Sequence, residues 1–339
     1  MRQTSERAAY LVLGMHRSGT SATAQLLALA GAELPDNVMP GDEHNAKGYF
    51  EPWKISVFND QRLRAAGSAW DDPFNLPYRA LAADAEADWK ARAVDLFRAE
   101  FGEAPYPLLK DPRVSVLLPL WREVLAQAGV GARVVIPVRH PLAVAGSLAR
   151  RDSFPVEKSV LLWTLYMLAA EAGSQDLPRA FVSYDGLLTD WRAEVAAMER
   201  ALGAPLPRLS ERAAAEIAGF LTKDLRHNAG EGALADVPMV GPMAQEVLDW
   251  FTAAARGQAP ARAPLEQAAA QIAQMRTQMG VLVSPVTHAL DSTRAELLYE
   301  RQLAALREDR IKALEDEIGA LRQERARIEA VVDTALAGR

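Results

Sequence analysis

The sequence predicts an α/β fold, a three-layer sandwich with a central parallel sheet, extended by a long C-terminal helix. Three observations lead there. Short apolar runs at residues 8–13, 107–110, 132–139 and 179–184 alternate with helical stretches, as in β-α-β units whose strands are buried on both faces. All seven tryptophans lie between Trp53 and Trp250, and Tyr299 is the only aromatic residue after Phe251, so the large-side-chain core is expected to end near residue 250. Beyond Asp291, Ile311, Leu314, Ile318, Leu321, Ile328 and Val332 step by three and four, a heptad seam interrupted by Arg325.

The first strand runs into Gly14-Met15-His16-Arg17-Ser18-Gly19-Thr20-Ser21, followed by a helix over 20–30. The two glycines hold the spacing of the phosphate-cradling pattern G-x-x-x-x-G-K-[ST], which makes the fold P-loop-like. Thr20 stands where that pattern has its lysine, so Arg17 is the cation inside the loop. Backbone N–H groups from Ser18 to Ser21 converge at a helix N-terminus, where dipole and unpaired donors favour an anion. The loop is suited to phosphate and poorly suited to Mg-ATP.

Helical patterns follow over 85–101 and 114–128, separated by the strand that ends at Lys110. Asp111 can cap the turn that Pro112 begins. The strand over 132–139 ends in Arg139, and Pro141 opens a helix over 141–151 that carries Ser147 about two turns in. Helices over 157–172 and 191–202 flank the last strand. Arg139 and Ser147 can converge on one anion, or serve as an ion pair and a packing residue; Arg150 and Arg151 add positive field.

His16-Arg17-Ser18-Gly19-Thr20-Ser21 and the Arg139…Ser147 pair resemble the sulfotransferases that use 3′-phosphoadenosine 5′-phosphosulfate (PAPS), over Tyr10 to about His227. The resemblance implies that Arg17, Ser18, Gly19, Thr20 and Ser21 hold the 5′-phosphosulfate and that Arg139 and Ser147 hold the 3′-phosphate. Leu108-Leu109-Lys110-Asp111-Pro112 is similar to a segment of the tyrosylprotein sulfotransferases whose lysine lies at the reacting sulfate, which gives Lys110 that role. Arg113 is read as balancing local carboxylates. Arg226 would reach the cofactor from a late basic segment, next to His227.

Related enzymes take their base from the segment after the first helix, and Asn45-x-x-Gly48-Tyr49-Phe50-Glu51 is similar to a bacterial version of it. Glu51 is the first choice for the base, Glu43 the second and His44 the third, His44 by virtue of an imidazole suited to neutral pH. The other reading of Glu51 is dipole compensation for a helix beginning near Pro52.

The chain has 339 residues, net charge −6 and no cysteine, which excludes a disulfide framework, thiolate chemistry and general nucleic-acid affinity. No apolar run reaches the ~18 residues of a membrane span. There is no metal motif, and none is expected for sulfuryl transfer, where positioning and electrostatics suffice. The expected organisation is a catalytic domain over 1–251, an Ala/Gln/Pro-rich linker with a short helix over 252–284 and a coiled-coil helix over 285–339, pairing in parallel with itself. The expected activity is cytoplasmic PAPS-dependent sulfation of a carbohydrate, glycolipid or similar hydroxyl acceptor, releasing adenosine 3′,5′-bisphosphate (PAP). A P-loop small-molecule kinase and a non-catalytic nucleotide-binding scaffold are the alternatives.

Overall fold

A computed structural model describes residues 7–41, 48–222 and 232–337. Four parallel strands, β1 (Ala8–Val12), β2 (Leu108–Lys110), β3 (Gly131–Val138) and β4 (Arg179–Ser183), lie in the order β2-β1-β3-β4. The chain leaves β1 toward β2 on one side and later adds β3 on the other. The β1/β3 edge is therefore a topological switch point, where open α/β sheets bind ligands beyond the strands' carboxyl ends.

Strand alternation explains the layers. In β1, Ala9 and Leu11 face one core cluster while Tyr10 and Val12 face the other, all fully buried. The second face is covered by α1 (Thr20–Leu29), α7 (Tyr184–Leu202) and α8 (Glu211–Phe220). The first is covered by α2 (Trp53–Ala65), α3 (Ala83–Phe101), α4 (Leu118–Gln127), α5 (Pro141–Asp152), α6 (Val156–Gly173) and α9 (Gly241–Ala255).

Three expectations need correction. The helix over 114–128 is divided: Asp111 accepts from the Arg113 N–H and caps a 3-10 turn at Pro112–Ser115, and α4 begins separately at Leu118, with Pro119 in its first turn. α7 starts at Tyr184 instead of 191, because the Ser183 hydroxyl accepts from the Gly186 N–H at 3.0 Å; non-helical Asp190 marks where the stronger periodicity resumes.

The third concerns 252–284. α9 runs to Ala255, and Trp250 Nε1 donates to the Ala261 carbonyl at 3.1 Å across the connection to α10 (Ala263–Ala337). Leu265, Ala268 and Ile272 are buried in the first core cluster, with Met275, Met279 and Val283 against it. Ser284 donates to Asp72 at 2.9 Å. The stretch is helix packed on the body, since its sparse Leu, Ile and Met residues share one face. The compact body ends at Thr287, and a second unit begins at His288. Taken alone, that unit is helix, with Leu297, Ile311, Leu314, Ile318 and Leu321 exposed. Among the described residues no helix is long and apolar enough to cross a membrane.

Candidate active site at the carboxyl edge of the sheet

The loop after β1 is shaped by three left-handed backbones: Gly14 (φ 132°), Arg17 (φ 68°) and Gly19 (φ 90°). Gly19 is the N-cap of α1 and has no side chain to satisfy the first-turn N–H groups. Its Cβ position is filled by the Tyr184 ring, so only glycine fits there. Ser115 pins the start of the loop: the Gly14 N–H donates to its Oγ at 2.8 Å, and that hydroxyl donates to the Gly14 carbonyl at 3.3 Å. Ser18 is wholly buried and its Oγ has no hydrogen-bond partner, an orphaned hydroxyl at the mouth of a helix N-terminus.

Arg139, carried to the loop by β3, donates from Nη1 to the Arg17 carbonyl at 2.7 Å and lies 4.6 Å over the Tyr184 ring. Arg17 Nε donates to Ser147 Oγ at 2.8 Å. The two phosphate elements expected from the sequence thus touch, with Arg17 reaching into the Arg139/Ser147 element. The α5 helix that presents Ser147 is capped by the His140 ring, which accepts from the Leu142 N–H at 3.3 Å. Burial lowers the His140 pKa, which keeps the ring an acceptor.

On the other side of α1's N-terminus, Lys110 Nζ donates to Glu51 Oε1 at 2.5 Å, to the Tyr49 carbonyl at 2.9 Å and to Ser21 Oγ at 3.3 Å. Lys110 is 1% and Glu51 4% exposed. Burial pushes the Lys110 pKa down, and the Glu51 carboxylate opposes that. α2 begins at Trp53 with Pro52 as its N-cap, no side-chain cap and no acidic residue in its first turn, and Glu51 just before it is engaged with Lys110. Phe50, just before it, has a left-handed φ of 55°, local strain of the kind found where a side chain must be aimed.

Arg113 lies among carboxylates, as expected, and they include Glu51. It pairs with Asp60 at 2.6 Å and Asp111 at 2.9 Å, and its Nη1 lies 3.7 Å from Glu51 Oε2. Asp111 accepts in turn from Asn59, whose own Oδ1 accepts from Trp121 Nε1. This buried network fixes the carboxylate from behind. His16 is walled by Trp70, with ring centroids 4.6 Å apart, and its Nε2 is buried without a partner. Burial and the nearby Arg113, Arg151, Lys110 and Arg17 push its pKa well down, so the ring is neutral at neutral pH.

Of the residues expected at the site, Arg17, Ser18, Gly19, Thr20, Ser21, Glu51, Lys110, Arg139 and Ser147 gather around this one loop. Glu43, His44, Arg226 and His227 lie outside the described residues. Tyr184, Ser115 and the extension of the Arg113 network to Glu51, Asn59 and Trp121 were missed. Only the Arg113-Asp111 adjacency signalled any of them, because the contacts of Tyr184 and Ser115 span the sheet.

No protein-family model matches the chain, and no curated relative does. Among solved structures it is similar to the sulfotransferase domain from the Synechococcus PCC 7002 olefin synthase, at 16% identity over 79% of this chain and 94% of that one, TM-score 0.39. It is also similar to the sulfotransferase domain from the curacin biosynthetic pathway, at 14% identity over 78% and 97%, TM-score 0.37. A sulfotransferase from Mycobacterium tuberculosis H37Rv aligns at 15% identity over 71% and 76%, TM-score 0.36.

Proposed function

We propose that the chain is a sulfotransferase that moves a sulfuryl group from PAPS to a hydroxyl of a carbohydrate, glycolipid or similar small acceptor. The observation that supports it most is the meeting, around one helix N-terminus, of an Arg17/Arg139/Ser147 cluster with a buried Lys110–Glu51 pair. One half suits a doubly phosphorylated nucleotide and the other suits proton removal beside a cation. The orphaned Ser18 hydroxyl and the uncapped first turn of α1 fit such an anion.

When bound, PAPS supplies the sulfuryl group, and PAP is what remains. The chain's residues do the rest. Arg139 and Ser147 hold the 3′-phosphate, and Arg17 with the loop N–H groups neutralises the 5′ side. Glu51 would accept the proton of the acceptor hydroxyl, and Lys110, held beside it, would supply the positive charge that a departing bisphosphate needs. The Arg113–Asp111–Asn59–Trp121 network keeps Glu51 in place, which is the positional part of catalysis.

The test is calorimetry of PAP against AMP. Losing a charge-assisted contact costs about 1.5–3 kcal/mol, so Arg139→Ala weakens PAP about tenfold or more and leaves AMP nearly unchanged. Equal loss for both ligands removes the 3′-phosphate assignment. Tight Mg-ATP binding with no turnover of PAPS would point to a kinase instead.

A further inference from the structure

Two short arms of chain meet beside the Lys110–Glu51 pair. The Met39 N–H donates to the Glu51 carbonyl at 2.8 Å, the Trp53 N–H donates to the Asn37 carbonyl at 3.1 Å, and Val38 and Pro52 form an antiparallel bridge between them. A pairing this short, with a proline at its centre that has no N–H to give, is marginal on its own. Yet the second arm carries Glu51, and the residues leading into it supply the Tyr49 carbonyl that Lys110 also binds. One side chain reaches both arms. Glu100 Oε2 accepts from Asn37 Nδ2 at 2.5 Å, and its Oε1 accepts from Lys54 Nζ at 3.0 Å. We infer that Glu100 is a positioning residue, clamping the two arms together so that Glu51 stays against Lys110.

The placement of Glu100 is otherwise unfavourable. It lies in the last turn of α3, at the negative end of the helix dipole, and its side chain is 1% exposed, so it has given up water as well. The donors from the two arms are what offset that cost, and a glutamine would present one acceptor oxygen where the arms engage two. The ties are unequal. Lys54 is 54% exposed, so water screens its ion pair and the pair contributes little. The bond from Asn37 is charge-assisted, short and out of water, which makes it the stronger tie.

Lysine acetylation of the full chain, read by mass spectrometry, tests the clamp without any ligand. Lys110 is 1% exposed, so its labelling tracks the population in which the arms have parted. Glu100→Ala removes a charge-assisted tie and raises Lys110 labelling about tenfold or more, while Lys54→Met raises it about twofold. Glu100→Gln, which keeps the Asn37 bond, falls between the two. Asn37→Ala added to Glu100→Ala changes nothing further, since both break the same tie. Lys90, in the same helix as Glu100, keeps its wild-type labelling throughout. The inference is overturned if Lys110 stays as shielded in Glu100→Ala as in the wild type, if Lys90 rises as much as Lys110, or if Asn37→Ala and Glu100→Ala add. Where Glu100→Ala does not fold, Asn37→Ala and Lys54→Met decide, and unchanged Lys110 labelling in both overturns it. One consequence rests on the proposed role of Glu51 as base: with PAPS and methyl glucoside, Glu100→Ala lowers kcat and leaves the KM for PAPS near that of the wild type. Exposed Lys110 with a normal kcat supports the clamp and counts against that base, and a wild-type chain that does not sulfate the glucoside counts against the reaction while the labelling still decides the clamp.

Discussion

Replacing Glu51 with Gln separates the chemistry of the site from its stability. The amide keeps shape and can still accept from Lys110, but it cannot take a proton, so turnover with PAPS falls ~10²–10⁴-fold with PAP affinity intact. The structural cost follows from the pair. Lys110 is 1% exposed, and among the described residues Glu51 is the one carboxylate it hydrogen-bonds, the other two acceptors being the neutral Tyr49 carbonyl and Ser21 hydroxyl. Removing one partner of a buried ion pair costs about 3–5 kcal/mol. The retained amide and the two neutral acceptors bring the expected loss to the low end. Its pH dependence has a definite sign. Burial lowers the Lys110 pKa from 10.5, so above the folded-state value the unfolded chain binds more protons and stability rises with pH up to about 10.5. The Glu51 carboxylate is what raises that folded-state value, and without it the window widens toward lower pH. The deficit of Glu51→Gln is thus largest at neutral pH and shrinks in alkali, which urea unfolding at two pH values measures. A deficit that grows with pH refutes the buried-pair account of Lys110, and normal turnover by the Glu51→Gln enzyme refutes the base assignment.

Gly19→Ala puts a methyl group into the Tyr184 ring at a backbone φ of 90°, so thermal unfolding should register a loss of about 1–3 kcal/mol and calorimetry a loss of PAP binding. Wild-type binding in that variant means the loop geometry is not what holds the nucleotide. A chain ending at residue 287 keeps every buried residue of the body and should fold and bind PAP. One ending at residue 255 loses Leu265 and Ile272 from the core, each about 1.5–3 kcal/mol of burial, and should unfold at markedly lower urea.

The sheet was legible because its strands are short, apolar and separated by helix-length segments. Leu108–Lys110 reads as a strand even at three residues, because Asp111-Pro112 punctuates it. What escaped were helices whose signal is weak in one dimension. α2 carries Ser56, Asn59 and Arg62 on its buried side, and Asn59 and Arg62 are there for their hydrogen bonds and ion pairs rather than for hydrophobicity. Composition also misjudged 252–284. Alanine and glutamine dominate there, but three apolar residues spaced at helical intervals, Leu265, Ala268 and Ile272, suffice to seat a helix when a groove is waiting.

The site divides in the same way. Residues of a candidate motif stand out in sequence, since an anion cradle would demand particular types at fixed spacing. Residues that contact the motif from elsewhere do not, since any element at the sheet's carboxyl edge could have supplied them. Ser115 illustrates the point. Its hydroxyl serves both the N–H and the carbonyl of Gly14, a residue 101 positions away, and nothing around Ser115 in sequence marks it. Arg113 is the intermediate case. Its neighbours Lys110 and Asp111 announce a charged cluster, yet its reach to Glu51 depends on α2 bringing Asn59 and Asp60 beneath the same carboxylate. Sequence therefore picks out the candidate groups, and the folded chain adds the ones that give those groups their direction, which is where Glu51, the proposed base, acquires its buried environment.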